Sequence, residues 1–364
     1  MRKLFRRLGL AATLAVAASA SASAADIYKL PVGSPELKSA GPLAFGPEGI
    51  LLIGDTKAAA IVAINTGDKG GAPSAAQYDV PDLPGKVAKA LGVDKVEIKD
   101  LAVNPESGNL YLSVSANGPK IVKVTTNGEI KALSLKDIGF SRVELPNPPE
   151  DKVTGEGPRA RNNRDTSITD LAWVNGQVIA SGSTAGTASS GVRALNFPFG
   201  DKNATSNLEI YHAAHARTED NAVIRTFVPF NINGEPSVLA GFTCTPLVKF
   251  SVSEIAGSDK IKGTTVAELG NRNVPLDMIA YKQDGKDFLL LANNNRGVMK
   301  VSTANIERKD GLTQPVGGGG TAGQSFEPIT ALQGTVQLDR LSDTHAVVLQ
   351  QADGTLNLKS VPLP

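Results

Sequence analysis

The sequence is poor in several residues that build common kinds of protein site. Its 364 residues include 1 Cys, 1 Trp and 3 His, and only 5% are aromatic. A single cysteine excludes an intramolecular disulfide and a Cys-rich metal centre. So few aromatic rings disfavour a polysaccharide binder that relies on stacking. The 37 Gly and 22 Pro, about one residue in six, argue against a long-helix or coiled-coil protein.

The chain also lacks an excess of positive charge. Its formal net charge is +1, but Arg2, Lys3, Arg6 and Arg7 lie in a segment that we expect to be removed. Without them 33 basic residues face 36 acidic ones, a net charge near −3. This balance excludes a binder of polyanions that depends on bulk charge, so we expect no nucleic-acid partner and no basic membrane-surface protein.

The first 24 residues have the pattern of a secretory signal peptide. A basic start precedes an apolar run from Leu8 to Ala18, and Ala22-Ser23-Ala24 places small residues at the expected cleavage site. The apolar run is too short for a membrane anchor, which needs about 20 residues. We therefore predict cleavage after Ala24, a mature domain over 25–364 in the periplasm or outside the cell, and no membrane span. Arg6-Arg7 leaves the route open between the general and the twin-arginine pathways.

Internal repetition predicts the fold. Six segments share one order: a short apolar strand, a tight polar turn, a second apolar strand, a loop and a third strand. They cover residues 43–64, 100–124, 170–197, 225–250, 278–301 and 336–361. Three of the turns are Asn-Gly or Asp-Gly, which accept the positive φ angles of two-residue hairpins.

The turn centres recur about every 59 residues, which divides the mature chain into nearly six units. A repeated antiparallel meander of this length is typical of a β-propeller. We therefore predict an all-β, six-bladed propeller with four strands in each blade. Seven blades remain open, and a β-sandwich is the alternative that so even a repeat disfavours. The early strand Ile27 to Leu30 is expected to pair with the last blade and close the ring.

The repeats resemble those of secreted NHL-type and SMP-30 (gluconolactonase)-like six-bladed propellers. The resemblance rests on the segments 43–49 (LAFGPEG) and 100–111 (DLAVNPESGNLY). It implies a central channel, in which lactonases of this kind hold a divalent metal with one Glu, one Asn and one or two Asp. That ligand set has no clear counterpart here. The Glu-Gly-Pro start of their first blade is absent, and Ser34-Pro35-Glu36 stands in its place.

Blade geometry places several reactive and charged residues on one face. Loops that enter the inner strands, and loops between second and third strands, share the face that usually carries the ligand. Those loops supply eight candidate ligand-binding residues: Arg164, His212, His215, Arg217, Cys244, Arg272, Asn294 and Arg296. Arginines that converge can bind a carboxylate or phosphate bidentately. Solvated surface loops are the alternative.

Two of these residues also suggest a metal. His212 and His215 form a candidate divalent-metal pair, with Cys244 or Asp220 as a third ligand. The pair works only if the chain turns there, because residues i and i+3 of a strand point to opposite faces. Cys244 with either histidine as base is a possible nucleophile, whereas a buried, inert thiol is the alternative.

These observations predict an exported propeller that binds a small anionic molecule at a cationic channel mouth. Two alternatives stay open. One is a metal-assisted hydrolase, lactonase or oxidoreductase acting on an anionic substrate, and the other is a platform that binds a protein partner.

Overall fold

The computed structural model describes residues 27–157, 160–187, 189–200 and 202–364, so the predicted leader lies outside them. Six antiparallel sheets form a ring, which is the six-bladed β-propeller predicted from the repeats. Two α-helices accompany them in the described part of the chain, Leu83–Leu91 and Val252–Gly257. Neither these nor any other helix within the described ranges is long and apolar enough to cross a bilayer.

The blades are numbered here in the order in which the chain enters them, and each is given from its inner strand outwards. Blade 1 contains Leu43–Phe45, Ile50–Asp55, Ala60–Asn65, Ile138–Glu144 and Val32–Gly33. Blade 2 contains Glu97–Val103, Leu110–Ser115, Pro119–Val124 and Ile130–Ala132. Blade 3 contains Asp170–Val174, Gln177–Ser183, Ser190–Asn196, Asn203–His212 and Arg217–Glu219, with Lys260–Lys262 parallel to the fourth strand. Blade 4 contains Ile224–Ile232, Glu235–Phe242, Pro246–Ser251, Thr264–Leu269 and Thr321–Gly323. Blade 5 contains Pro275–Gln283, Lys286–Asn293, Gly297–Ser302 and Phe326–Pro328. Blade 6 contains Thr335–Arg340, His345–Ala352, Thr355–Pro362 and Asp79–Val80. A separate hairpin pairs Val153–Thr154 with Arg161–Asn162.

The hydrophobic core is divided among the blade interfaces. The strand Ile50–Asp55 is buried along its whole length because its two faces meet different neighbours. Ile50 and Leu52 pack toward blade 3, whereas Leu51 and Ile53 pack toward blade 2. This is the period-2 alternation of a strand that is covered on both sides. The described residues form six such clusters, one for each pair of neighbouring blades.

The order of the blades around the ring differs from their order in the chain. Neighbouring inner strands run 1, 3, 4, 5, 6, 2 and back to 1. The chain therefore leaves blade 1, passes the edge of blade 6 and builds blade 2. It then returns along the outside of blade 1 as Ile138–Glu144 before it enters blade 3.

The strand that closes the ring is not the one expected from the sequence. Asp79–Val80, between blades 1 and 2, pairs with Thr355–Pro362 of the last blade. Blade 2 lies next to blade 6, so the segment that leads into blade 2 reaches that edge first. The N-terminal strand is Val32–Gly33, and it pairs with Ile138–Glu144 in blade 1.

The short hairpin turns follow the prediction. Asn175 and Gly176 both have positive φ angles, as do Asn233 with Gly234 and Asp284 with Gly285. Two successive positive φ angles are the signature of a type I′ turn, whose twist matches that of the flanking strands. These turns fix the register of blades 3, 4 and 5, because a two-residue loop allows only one pairing.

Candidate functional site

A cavity of about 1050 Å³ occupies the centre of the ring and is lined by inner-strand residues of all six blades. Its size suits a small ligand. An inner strand has no neighbour on its axial side, so this wall also carries backbone amides that no strand pairs.

Four aspartates at the inner strands satisfy amides of neighbouring blades. Each carboxylate accepts a backbone hydrogen bond from the next inner strand at 2.7 or 2.8 Å. The pairs are Asp100 with Leu43, Asp170 with Phe227, Asp277 with Leu338, and Asp339 with Val103. These four residues are called the aspartate band below. The band joins the blade pairs 2–1, 3–4, 5–6 and 6–2.

Burial and mutual repulsion make the four carboxylates of the band harder to ionise than an exposed aspartate. Burial raises the pKa of Asp170 and of Asp339 to about 6, against the pull of the amides that each carboxylate accepts. Burial also raises the pKa of Asp100 and of Asp277 well above the usual value, and the charges of other band members raise both further. The carboxylates thus repel one another across the cavity, which favours a proton or a cationic group among them.

Positive charge lines the same cavity. Five basic and five acidic side chains contribute to its wall: Lys38, Lys57, Lys99, Arg225 and Arg340, with Asp100, Asp165, Asp170, Asp277 and Asp339. Lys99 pairs with Glu97 and Arg340 with Asp343. Lys38, Lys57 and Arg225 have no carboxylate partner among the described residues. The half-buried Arg225 also has a buried Nε that lacks a hydrogen-bond partner within the described ranges.

None of the eight residues predicted from the sequence lines this cavity. Arg164 uses its guanidinium on the loop, with Nε donating to Pro149 O at 2.8 Å and Nη1 to Lys57 O at 3.4 Å. It therefore fixes loops in this structure, and what it binds beyond them stays a prediction.

Four of the eight lie where the loops of blades 4 and 5 meet. The Cys244 amide donates to Asn273 O, and Asn294 Oδ1 accepts from Val274 N at 2.8 Å. Arg296 Nη2 donates to Asn271 O at 3.3 Å. Arg272 is exposed, and its carbonyl accepts from Asn295 Nδ2. The structure brings these four residues near one another through hydrogen bonds to backbone groups that order the loops, and their binding of a ligand stays a prediction.

The remaining three residues form a second cluster, at the rim. His212 ends the outer strand of blade 3, and a 3-10 turn, Ala213–His215, follows it. The turn that the metal prediction required is therefore present. His212 Nδ1 and His215 Nδ1 lie 2.9 and 2.8 Å from the two carboxylate oxygens of Glu219. Arg217 Nε donates to Glu219 Oε1 at 2.9 Å.

The third member of the metal cluster differs from the prediction. Within the described ranges, His212, His215 and Glu219 hold potential ligand atoms within 4.8 Å of one another, and neither Cys244 nor Asp220 belongs to that group. The register of the hairpin explains this. Ile210 pairs with Glu219 and His212 pairs with Arg217, so Glu219 lies diagonally across from His212 on the same face.

A second carboxylate, that of Glu268, contacts the turn between His212 and His215. Glu268, in the outer strand of blade 4, is fully buried, and its Oε1 accepts the amide hydrogens of Ala213 and Ala214. Its Oε2 has no partner among the described residues. Burial raises the pKa of Glu268 to about 7, although the two amides oppose that rise. The cluster therefore lies in the seam between the outer strands of blades 3 and 4.

No family model matches the sequence, and no curated protein matches it. Among solved structures, the chain is similar to Drosophila Semaphorin 1b, extracellular domains 1-2, with 12% identity and a TM-score of 0.41 over 92% of this chain and 87% of that one. It is also similar to the Plexin A4 full extracellular region, with 8% identity and a TM-score of 0.44 over 92% of this chain and 47% of that one. Similarities this low carry no argument about function.

Proposed function

We propose that this chain is an exported β-propeller that binds a small zwitterion, with a carboxylate and an ammonium group, in its central channel. The leader at residues 1–24 supports export. The observation that carries the binding proposal is Arg225, a half-buried arginine on the cavity wall whose Nε is buried without a partner among the described residues.

A buried polar group without a hydrogen bond costs about 1–3 kcal/mol, and more when it is charged. The Nε of Arg225 is itself closed to the cavity. A ligand carboxylate would therefore accept the two Nη groups of the guanidinium, which offer a planar, bidentate fork. Lys38 and Lys57, which also line the cavity, add positive charge to its wall.

The aspartate band indicates which second charged group the ligand carries. Four carboxylates lining one cavity repel a simple dianion and attract an ammonium group. A zwitterion, such as an amino acid or a short peptide, satisfies both kinds of wall, with its carboxylate at Arg225 and its ammonium at the band. This differs from the purely cationic mouth expected from the sequence, because the structure lines the channel with different residues.

The single tryptophan makes the proposal directly testable. Trp173 lines the cavity, and its ring packs against Tyr28 and Phe197, so its fluorescence is sensitive to changes in this part of the wall without any label. The probes are triglycine, succinate and putrescine: a zwitterion, a dianion and a dication. We expect triglycine to change the Trp173 signal at the lowest concentration of the three.

Variants separate the two kinds of wall. Arg225→Gln should weaken triglycine and succinate by about tenfold or more and should not weaken putrescine, because it removes a like charge from the wall. Arg296→Gln is the matched control, since Arg296 does not line the cavity, and it should bind all three probes as the parent chain does. Unchanged binding of every probe in Arg225→Gln would contradict the proposal.

A further inference from the structure

The rim cluster has the composition and spacing of a metal site. We propose that His212, His215 and Glu219 bind one divalent transition-metal ion, of the zinc class, in the seam between blades 3 and 4. The proposal is independent of the channel, because none of these three residues lines the cavity.

The ligand atoms must move apart by roughly half an ångström to accept an ion. Zinc lies about 2.0–2.2 Å from imidazole nitrogen and carboxylate oxygen, so neighbouring ligand atoms in a tetrahedral site are about 3.3–3.6 Å apart. The two N···O distances here are 2.9 and 2.8 Å, and the imidazole centroids are 3.7 Å apart. Both Nδ1 atoms thus already converge on one carboxylate. An ion between them replaces two hydrogen bonds with coordination bonds.

The protonation states also suit a metal. Burial lowers the pKa of His212, which favours the neutral imidazole. Its Nδ1 carries the hydrogen that Glu219 accepts, so that hydrogen must be lost and the Nε2–H form adopted before Nδ1 binds an ion. Burial alone would raise the pKa of Glu219, but hydrogen bonds from His212, His215 and Arg217 hold it at about 2. A neutral imidazole and an ionised carboxylate are the forms that coordinate metals.

Two buried atoms without partners support the assignment. His212 is 1% exposed, and its Nε2 has no hydrogen-bond partner in the described part of the chain; Glu268 Oε2, fully buried in the same seam, also has none. Coordination through Nδ1 leaves the imidazole hydrogen on Nε2, and a metal-bound histidine usually donates that hydrogen to a carboxylate. No hydrogen bond joins Glu268 to His212 Nε2 in the structure. Glu268 instead holds the turn between the two histidines through the amides of Ala213 and Ala214. It is a positioning residue.

The ligand set selects the class of ion. Imidazole nitrogen favours zinc, copper, nickel and cobalt, whereas calcium and magnesium take oxygen ligands. Three protein ligands leave at least one coordination position open, and His215, whose side chain is 40% exposed, gives the cluster contact with solvent.

The experiment uses the purified chain after removal of metals with a chelator. Cobalt(II) is titrated while visible absorption is recorded, and zinc is counted by mass spectrometry after equilibrium dialysis. We expect one ion per chain, with an absorption spectrum that reports nitrogen and oxygen ligands. His215→Ala and Glu219→Gln should weaken binding by more than about tenfold.

His345→Ala is the matched control, because His345 Nδ1 faces Thr344 Oγ1, away from the cluster. It should bind cobalt as the parent chain does. His215→Ala is the first variant to examine, since His215 is exposed and its loss should not disturb folding, which circular dichroism will verify. Absence of bound metal in the parent chain, or binding unchanged within about twofold in both cluster variants, would overturn the proposal.

Discussion

Asp339 of blade 6 accepts the backbone amide hydrogen of Val103 of blade 2 at 2.7 Å, across 236 residues of sequence. The contact joins two inner strands that no ladder connects. It stands beside the pairing of Asp79–Val80 with the last blade, so the junction between blades 6 and 2 is held at both its inner and its outer edge. Closure of this ring therefore depends on one carboxylate as well as on strand pairing.

Replacing Asp339 should loosen this junction. Asp339→Ala leaves the amide of Val103 without its acceptor, and we expect the free energy of unfolding to fall by about 1–3 kcal/mol. Asp339→Asn should lose less, because its carbonyl oxygen can still accept that hydrogen bond. Denaturant unfolding measures both. The control is Asp343→Ala, which removes a carboxylate that is 91% exposed and should cost little. Equal losses in Asp339→Ala and Asp343→Ala would refute this role.

The aspartate band also predicts how stability varies with pH. The pKa of Asp170 is raised to about 6 in the folded chain, whereas an unfolded aspartate titrates near 4. The folded state therefore binds more protons between these two values, and its stability falls as pH rises through the window. Ionisation above pH 6 completes the loss.

Asp170→Asn should reduce that dependence. The difference in melting temperature between pH 5 and pH 8 is expected to be smaller in this variant than in the parent chain, as followed by circular dichroism. Asp165→Asn is the control, because Asp165 lines the cavity outside the band. If Asp165→Asn changes the pH dependence as much as Asp170→Asn does, the band is not its source.

The sequence repeat predicted most of the fold because the turns and strands that it consists of depend on nearby residues. The turn residues, such as Asn175-Gly176, and the strands apolar on both faces, such as Ile50–Asp55, are set by nearby sequence. The closing strand is not. Asp79–Val80 is two residues long, and its place beside the last blade follows from a ring order that no local pattern contains.

The site was predictable only in part. The hairpin that carries His212 and His215 was visible as a histidine pair, but Glu219 becomes their partner through a register that the sequence alone does not fix. The aspartate band was missed, although Asp100 and Asp170 begin the same Asp-Leu-Ala repeat. That shared position was the available signal. The role of these aspartates depends on which blades are neighbours in the ring, and the order of the blades cannot be read from a local sequence pattern.

Arg193 is a buried cation that sequence reasoning also missed. It is fully buried, and it donates to the carbonyl oxygens of Pro146, Ser167 and Ser183 at 3.2, 3.2 and 2.9 Å. Burial lowers its pKa to about 10, so it remains charged at neutral pH. The guanidinium thereby ties the connection between Ile138–Glu144 and the first strand of blade 3 to blade 3 itself.

Arg193→Lys should destabilise the fold even though it keeps the charge. An ammonium lacks the planar fork that reaches three carbonyl groups, and the unsatisfied groups should cost about 2–4 kcal/mol in denaturant unfolding. Arg142→Lys is the control on an exposed arginine of blade 1, and it should lie within about 0.5 kcal/mol of the parent chain. Equal stability of the two variants would show that the three contacts contribute nothing.

Substitution of Arg217 tests whether the rim cluster binds a metal ion or has only a structural role. Its guanidinium lies on the same Glu219 oxygen that His215 uses, and its side chain is 67% exposed. A cation at this position opposes a divalent ion and competes for the carboxylate. Arg217→Gln should therefore bind cobalt about 2- to 10-fold more tightly at low salt, with a smaller gain at high salt, where screening already weakens the repulsion.

Arg272→Gln, which changes an exposed arginine outside the cluster, should leave the affinity unchanged. Weaker cobalt binding in Arg217→Gln would mean that Arg217 holds Glu219 in place for the ion, and the competition argued here would be wrong. The sign of the change therefore separates a competing cation from a supporting one.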